Sequence, residues 1–337
     1  EEVVSFLARR LGEWGYQVEV DQAGNIVAQL GEGETALLLA SHVDTVPSFL
    51  PVRRENGKVF GRGAVDAKAS VAAMAVAGVE ALRWKLKGKV IFAGIVEEET
   101  SLRGIQSLLE ELPRIDYAIF GEPTGLNKIC LATKGRLLLK IDVHTSSGHV
   151  ACSWMYKNAI EEAFNLWFSL KNTLSSTGNS YFSSVIPNLT VLQGGDAPNV
   201  VPEHCSFYVD VRFPPNVSSF HLLEESSKVI DSFVKSKEVK VDYSVLSQIE
   251  GFRVNRRSKL VETLARSIRE ETGEEVKFIQ KTGTCFMNLI GKRFNVPVVG
   301  YGPGNPALEH TKDESIQVEE YLTAIKVLTK TISYVLS

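Results

Sequence analysis

The sequence is short of thiols, of net charge and of long apolar runs, and each shortage closes off a class of function. Its four cysteines, Cys130, Cys152, Cys205 and Cys285, are scattered without a Cys-x-x-Cys pair. That spacing is poor for a thiolate zinc site and suits reduced thiols in a cytoplasmic protein. Lysine plus arginine nearly balance aspartate plus glutamate, 37 against 40, for a formal net charge of -3. A balance so near neutral argues against a nucleic-acid partner and against a polybasic membrane surface. The longest apolar runs, such as Ala36 to Ala40 and Val296 to Val299, are far shorter than a bilayer span of ~20 residues. No charged-then-apolar leader precedes the first helix, so nothing indicates secretion. Glu1 opens the chain inside a predicted helix rather than at a Met, and further residues are expected before it. Repeats and low-complexity tracts are also missing.

What is present is ordinary globular chain. The 337 residues are 44% hydrophobic and 23% charged, enough for about two domains with a buried core. Val3, Val4, Phe6, Leu7, Leu11 and Trp14 recur at helical spacing, and a hairpin follows around Gln22 to Asn25. Ala36 to Ala40 reads as a strand buried on both faces and empties into His42. Lys89 to Val96 is a strand that empties into Glu97-Glu98-Glu99. Tyr117 to Phe120 empties into Gly121-Glu122-Pro123. Helices are expected at Ala69 to Leu82 and about Gly104 to Leu112, giving the alternation of a mostly parallel sheet with helices on its faces. From Arg136 onwards the pattern changes to β-α-β-β-α-β, a ferredoxin-like order with one open sheet face. The α/β pattern then resumes from Leu260 to Leu336. The fold class is therefore α/β. A mostly parallel catalytic domain is expected in two segments, 1–134 and 249–337, with a ferredoxin-like α+β domain inserted at 135–248.

The chemistry-bearing residues gather where such sheets bind ligands. His42, Glu98 with Glu99, and Glu122 each follow the carboxyl end of a predicted strand. His310 lies beyond the strand Val296 to Tyr301 and the turn Gly302-Pro303-Gly304. Asp66 sits in Gly61-Arg62-Gly63-Ala64-Val65-Asp66-Ala67-Lys68, just before a helix. Two imidazoles and several carboxylates without thiolates suit zinc, cobalt or manganese. Carboxylates converging without a cation would repel one another, so convergence would itself imply bound metal. Five candidate ligands exceed what one catalytic zinc with three protein ligands needs. They fit two ions about 3.5–4 Å apart that share a carboxylate. Plainer readings stand beside these. Asp66 can be a helix N-cap, His42 a core histidine, Glu97 to Glu99 a solvated acidic turn and Glu122 a loop residue. His149 can be a surface histidine, and Arg212 can pair with Asp210.

Together the motifs resemble those of the co-catalytic di-zinc aminoacylase and carboxypeptidase family, which includes succinyl-diaminopimelate desuccinylase, acetylornithine deacetylase and the glutamate carboxypeptidases. The resemblance is carried by His42-Val43-Asp44-Thr45-Val46-Pro47, the Gly61 to Lys68 loop, Glu97-Glu98-Glu99-Thr100 and Gly121-Glu122-Pro123-Thr124. Asn199-Val200-Val201-Pro202, Asp210-Val211-Arg212 and Gly302-Pro303-Gly304 before His310 complete it. Length, Val96-Glu97-Glu98-Glu99-Thr100 and Lys281-Thr282-Gly283-Thr284 look most like the archaeal and thermophile hydrolases that release lysine or ornithine from an amino-group carrier protein.

The resemblance implies two zinc ions, with cobalt or manganese as substitutes. His42, Asp66 and Glu122 would hold one, and Asp66, Glu99 and His310 the other. Asp44 would orient His42, and Glu98 would be the general base. The family's Asp-Glu-Glu stands here as Glu97-Glu98-Glu99, which leaves a one-residue ambiguity of register; Thr100 to Gly104 favours the one adopted. The inserted domain resembles the family's lid and dimerisation domain, so a homodimer is implied. In it His149 would reach the partner subunit's active site and stabilise an oxyanion. Arg212, with Asn199 and Gly283, would line the site for the amino-acid product, Arg212 holding its carboxylate. Val150-Ala151-Cys152 after His149, and Thr284-Cys285-Phe286-Met287, depart from the family pattern, and the second departure bears on specificity. The function implied is cleavage of an N-acylated amino acid in lysine or arginine biosynthesis, with carrier-linked lysine or ornithine as substrate. Rivals are an acetylornithine or succinyl-diaminopimelate deacylase, a general aminoacylase or a dipeptidase. From another class, a catalytically silent metal-binding scaffold on the same fold is the alternative.

Overall fold

A computed structural model describes residues 2–337 of the chain. They form two compact units. The first takes the chain up to Ala132 together with Arg253–Gln280 and Cys285–Ser337, and the second takes Thr133–Phe252 with Lys281–Thr284.

The first unit is built on the strand Ala36–His42, in which every residue is buried. Its leucines have no polar face to offer water, so the strand needs neighbours on both edges and helices above and below. It lies between Lys89–Ile95 and Tyr117–Phe120 and runs parallel to both. Val298–Gly300 continues the parallel run beyond Tyr117–Phe120. Helices Lys68–Ala81 and Val318–Leu336 pack on Ala36–His42, while Arg103–Glu111 and Phe286–Phe294 pack on its neighbours.

The sheet is mixed rather than mostly parallel. Its parallel centre is flanked by antiparallel pairs, Ile26–Leu30 against Lys89–Ile95 on one side and Lys128–Thr133 against Val298–Gly300 on the other. Composition marks a strand as buried without setting its direction, and at the first edge connection length adds one more antiparallel pair. The hairpin Gln17–Val20 and Ile26–Leu30 needs only a tight turn, whereas a parallel neighbour needs a crossover helix. A further small sheet joins Arg53–Glu55, Lys58–Phe60 and Ser315–Gln317. Strands of three residues leave no periodic signal, and the sequence pattern does not announce them.

The second unit follows the order β-α-β-β-α-β, with Gly135–His144 central in an antiparallel four-stranded sheet. Burial along Gly135–His144 alternates residue by residue. Leu137, Leu139, Ile141 and Val143 enter a core with Phe207, Val209 and Val211 of the next strand. Leu166 and Leu170 of helix Ala159–Leu174, and Ile230 and Phe233 of helix Ser219–Lys237, close it. The opposite face is polar. No described helix is long and apolar enough to cross a membrane.

Candidate metal centre

Within the first unit the structure brings His42, Asp66, Glu98, Glu99, Glu122 and His310 together. Three groups of possible ligands have their atoms within 4.8 Å of one another: His42, Asp66 and Glu122; Asp66, Glu99 and His310; and His42, Glu98 and Glu99. His42 is the last residue of the buried strand Ala36–His42, so its imidazole emerges from a rigid edge. Glu122 follows Tyr117–Phe120 and lies against Gly302, where an added Cβ would stand 2.7 Å from the Glu122 carbonyl oxygen. That close approach requires glycine. Gly63, at φ +84°, makes the turn that delivers Asp66.

Asp66 is not a helix cap. The N-cap of Lys68–Ala81 is Ala67, and no side chain bonds the exposed amides there. The carboxylate is turned instead to two imidazoles: Oδ1 lies 3.1 Å from His42 Nε2, and Oδ2 lies 3.0 Å from His310 Nε2. His310 Nε2 also lies 2.9 Å from Glu99 Oε1. His42 Nδ1 faces the Asp44 carbonyl at 3.1 Å and an Asp44 carboxylate oxygen at 3.5 Å, both acceptors. Nδ1 therefore carries a proton, which leaves Nε2, the nitrogen facing Asp66, to take either a second proton or a cation.

Asp44 has a second task that the sequence pattern does not reveal. Its two carboxylate oxygens accept the backbone N–H groups of Glu98 and Glu99, each at 3.1 Å. One side chain thus fixes both the His42 ring and the paired glutamates. Glu97 turns the chain into position at φ +61°, a left-handed conformation uncommon for a residue with a Cβ. Its own carboxylate is tied down by Ser101 Oγ at 2.5 Å and Arg103 Nε at 3.0 Å, so it faces away from the cluster's work. Asn25 is also buried: its Oδ1 accepts from the Val96 N–H at 2.9 Å and its Nδ2 donates to the Gly104 carbonyl at 2.7 Å. In the sequence Asn25 is a polar residue at a hairpin turn ahead of an apolar strand, and that position is its only local signal.

The electrostatics of the cluster are those of crowded acid. Burial, then the charge of Glu122, pushes the Glu98 carboxyl up to about 8. Burial and Asp66 raise Glu99 as well. Burial opposes charge on His42, but Asp44, Asp66, Glu122 and Glu98 outweigh it and raise its pKa. Burial likewise opposes charge on His310, and Glu99 and Asp66 prevail there too. Asp44 moves the other way: burial alone would raise it, but the His42 hydrogen bond and the two amides hold it below the usual carboxylate range. Divalent ions would supply the missing positive charge, and the nitrogen and oxygen donor set suits them.

The remaining candidates lie in the second unit. His149 pairs with Val200 in a short antiparallel ribbon, and the Asn199 carbonyl accepts the Val150 N–H at 3.1 Å, so His149 and Asn199 are neighbours. The exposed His149 imidazole accepts the Ala151 N–H at Nδ1, 3.1 Å away. Arg212 does pair with Asp210, Nε to Oδ1 at 2.6 Å, and its Nη1 donates to Thr284 Oγ1 at 3.2 Å. Gly283 precedes that threonine, with open space where a Cβ would stand.

Residues 38–334 match the model of peptidase family M20/M25/M40. The chain belongs to this family. Its members are hydrolases of carbon–nitrogen amide bonds that typically hold a dinuclear metal site. A relative from Pyrococcus abyssi is 33% identical over 99% of this chain and 88% of its own. The LysW-lysine/LysW-ornithine hydrolase of Sulfurisphaera tokodaii is 30% identical, over 96% of this chain and 87% of its own length. The LysW-lysine hydrolase of Deinococcus radiodurans is 29% identical, over 98% and 91%. Among solved structures, aminopeptidase PepT from Bacillus cereus superposes with a TM-score of 0.82 at 21% identity, covering 99% of this chain and 92% of its own. The M20 family metallo-carboxypeptidase Sso-CP2 from Sulfolobus solfataricus gives 0.80 at 17%, covering 100% and 94%. These likenesses show a shared fold.

Proposed function

We propose that this family member is a two-metal amidohydrolase that releases lysine or ornithine from the carrier protein LysW, a step of lysine or arginine biosynthesis in the cytoplasm. The observation that carries the two-metal reading is Asp66, which offers one oxygen to the His42 group and the other to the His310 group. His42, Asp66 and Glu122 then hold one ion, and Asp66, Glu99 and His310 the other, with zinc as the metal and cobalt or manganese as substitutes. When bound, such ions polarise a carbonyl and lower the pKa of water to about 7. Glu99 is committed to His310, while Glu98 lies closest in charge to Glu122; this division supports Glu98 as the general base.

The second unit supplies anion recognition in this reading. Asp210 is shared by Arg212 and by Arg136, whose Nε lies 2.8 Å from Oδ2. Two guanidiniums on one carboxylate leave positive charge over, suited to a product carboxylate. The names of the full-length relatives from Sulfurisphaera tokodaii and Deinococcus radiodurans support LysW-linked lysine or ornithine as substrate. A panel of LysW-lysine, LysW-ornithine, acetylornithine, succinyl-diaminopimelate and dipeptides tests this. The carrier-linked substrates should have the highest kcat/KM, and preference for any of the others would displace the reading. Metal uptake without cleavage of any of them would favour the silent scaffold.

We further infer that the second unit forms a homodimer and acts as a lid, and that His149 serves the site of the partner subunit. An imidazole that accepts at Nδ1 carries its proton on Nε2 when neutral, the donor an oxyanion needs. Mixing an inactive His149→Ala chain with an inactive Glu98→Ala chain under conditions of subunit exchange should restore about a quarter of wild-type activity, because half the dimers are hybrids with one intact site. No recovery in verified hybrids would place His149 outside the partner's site.

A further inference from the structure

Glu314 stands four residues after His310, immediately before the strand Ser315–Gln317, and its side chain is wholly buried. Its Oε1 accepts the N–H groups of Val65 at 3.0 Å and Asp66 at 3.1 Å. Its Oε2 takes a bond from Arg62 Nη1 at 2.5 Å. Its backbone carbonyl accepts the Gly61 N–H at 3.2 Å, which prolongs the pairing of Ser315–Gln317 with Lys58–Phe60. Arg62 in turn donates Nη2 to the Thr311 carbonyl at 3.2 Å and Nε to Ser48 Oγ at 2.8 Å. One ion pair therefore grips the Val65 and Asp66 amides on one side and, on the other, the Thr311 carbonyl one residue past His310. Both Glu314 oxygens and all three Arg62 nitrogens are engaged, so removing either partner strands a buried charge.

His310 depends on such a frame more than His42 does. His42 ends a buried strand and is braced by Asp44. His310 belongs to no helix or strand, has φ +60°, and leaves half of its side chain exposed. Its contacts with Asp66 and Glu99 hold the ring, and only the loop fixes where the ring starts from.

We propose that Arg62 and Glu314 are positioning residues that set the spacing of Asp66 and His310, and through it the affinity of the outer ion site made by Asp66, Glu99 and His310. The inner site shares Asp66 but takes its other ligands, His42 and Glu122, from strand ends that the ion pair does not touch, so it should respond less. This inference rests on the two-metal reading above.

Titrating the metal-free, full-length chain with zinc, followed by calorimetry and by equilibrium dialysis, reads the two sites separately. In Glu314→Gln an amide nitrogen must face donors whichever way it turns, either Arg62 or the Val65 and Asp66 N–H groups. One ion should then bind about 10–100-fold less tightly than in the wild type, with the other changed by less than about threefold. Its kcat should fall and recover in excess zinc, with KM unchanged. Arg62→Lys keeps the charge but loses the fork to Thr311 and Ser48, and should give an intermediate shift. It also serves if Glu314→Gln does not fold. Variants that melt earlier yet bind both ions as wild type does, or lose both equally, overturn the proposal. Wild-type protein that takes up fewer than two ions overturns the two-metal reading, and this inference with it.

Discussion

Replacing Glu98 by alanine should cut kcat by about 10²–10⁴-fold while both ions stay bound. The two neighbouring glutamates invite this test because they share a backbone anchor, the Asp44 carboxylate, yet face different partners. Glu99 Oε1 lies 2.9 Å from His310 Nε2, so its oxygen is already engaged. Glu98 is held near neutrality in the metal-free site, at about 8, by burial and then by Glu122. Nearby dications reverse that logic and favour its ionised form. A base must be ionised before it can take a proton, so on the proposed role of Glu98 the carboxylate would become competent when the ions are bound. Glu98→Gln, which preserves volume, should fall as far as Glu98→Ala, since the proton acceptor is lost in both. Glu99→Ala should instead lose the ion associated with His310. If Glu98→Ala keeps its turnover, or loses an ion while Glu99→Ala does not, the register of the pair is shifted by one residue. Metal content by elemental analysis alongside steady-state kinetics decides between these.

How much of this was legible in the sequence depends on how locally each feature is encoded. The apolar runs ending at His42, Val96 and Phe120 advertise both the strands and the edge at which ligands gather, because a strand buried on both faces has little freedom in composition. The alternation from Gly135 to His144 advertises the change to a sheet with one polar face. Neighbourhood across long sequence distances is invisible by comparison. Glu314 reaches Arg62 and the Asp66 amide from nearly the other end of the chain, and a lone glutamate after Lys312-Asp313 carries no sign of burial. Asn25 resembles any hairpin asparagine until Val96 and Gly104 are seen to close over it. Lys281–Thr284 clusters with the second unit, although its sequence neighbours on both sides pack in the first. Strand direction is hidden for a related reason: Lys128–Thr133 has the composition of a buried strand, which says nothing of its antiparallel pairing with Val298–Gly300.

Asp66 shows where local inference goes astray. A carboxylate just before a helix has a common explanation, the N-cap, worth about 0.5–2 kcal/mol when replaced. Here the cap position is Ala67, and the Asp66 oxygens are divided between His42 and His310. Asp66→Asn therefore separates the two explanations by measurement. Asparagine retains one acceptor oxygen and turns an amide nitrogen toward an imidazole. It also removes a negative charge from between two prospective cations. Both ions should be lost together, each binding at least about 100-fold more weakly, beyond the usual cost of disturbing an outer partner. Activity should fall with them, and excess metal should restore little because the shared ligand is gone. Thermal stability of the metal-free protein should change little or rise, since a crowd of buried carboxylates has been thinned. Dialysis against buffered zinc and melting with and without metal provide the readouts. Two ions retained at wild-type affinity would end the shared-ligand assignment, and loss of only one would assign Asp66 to that ion alone.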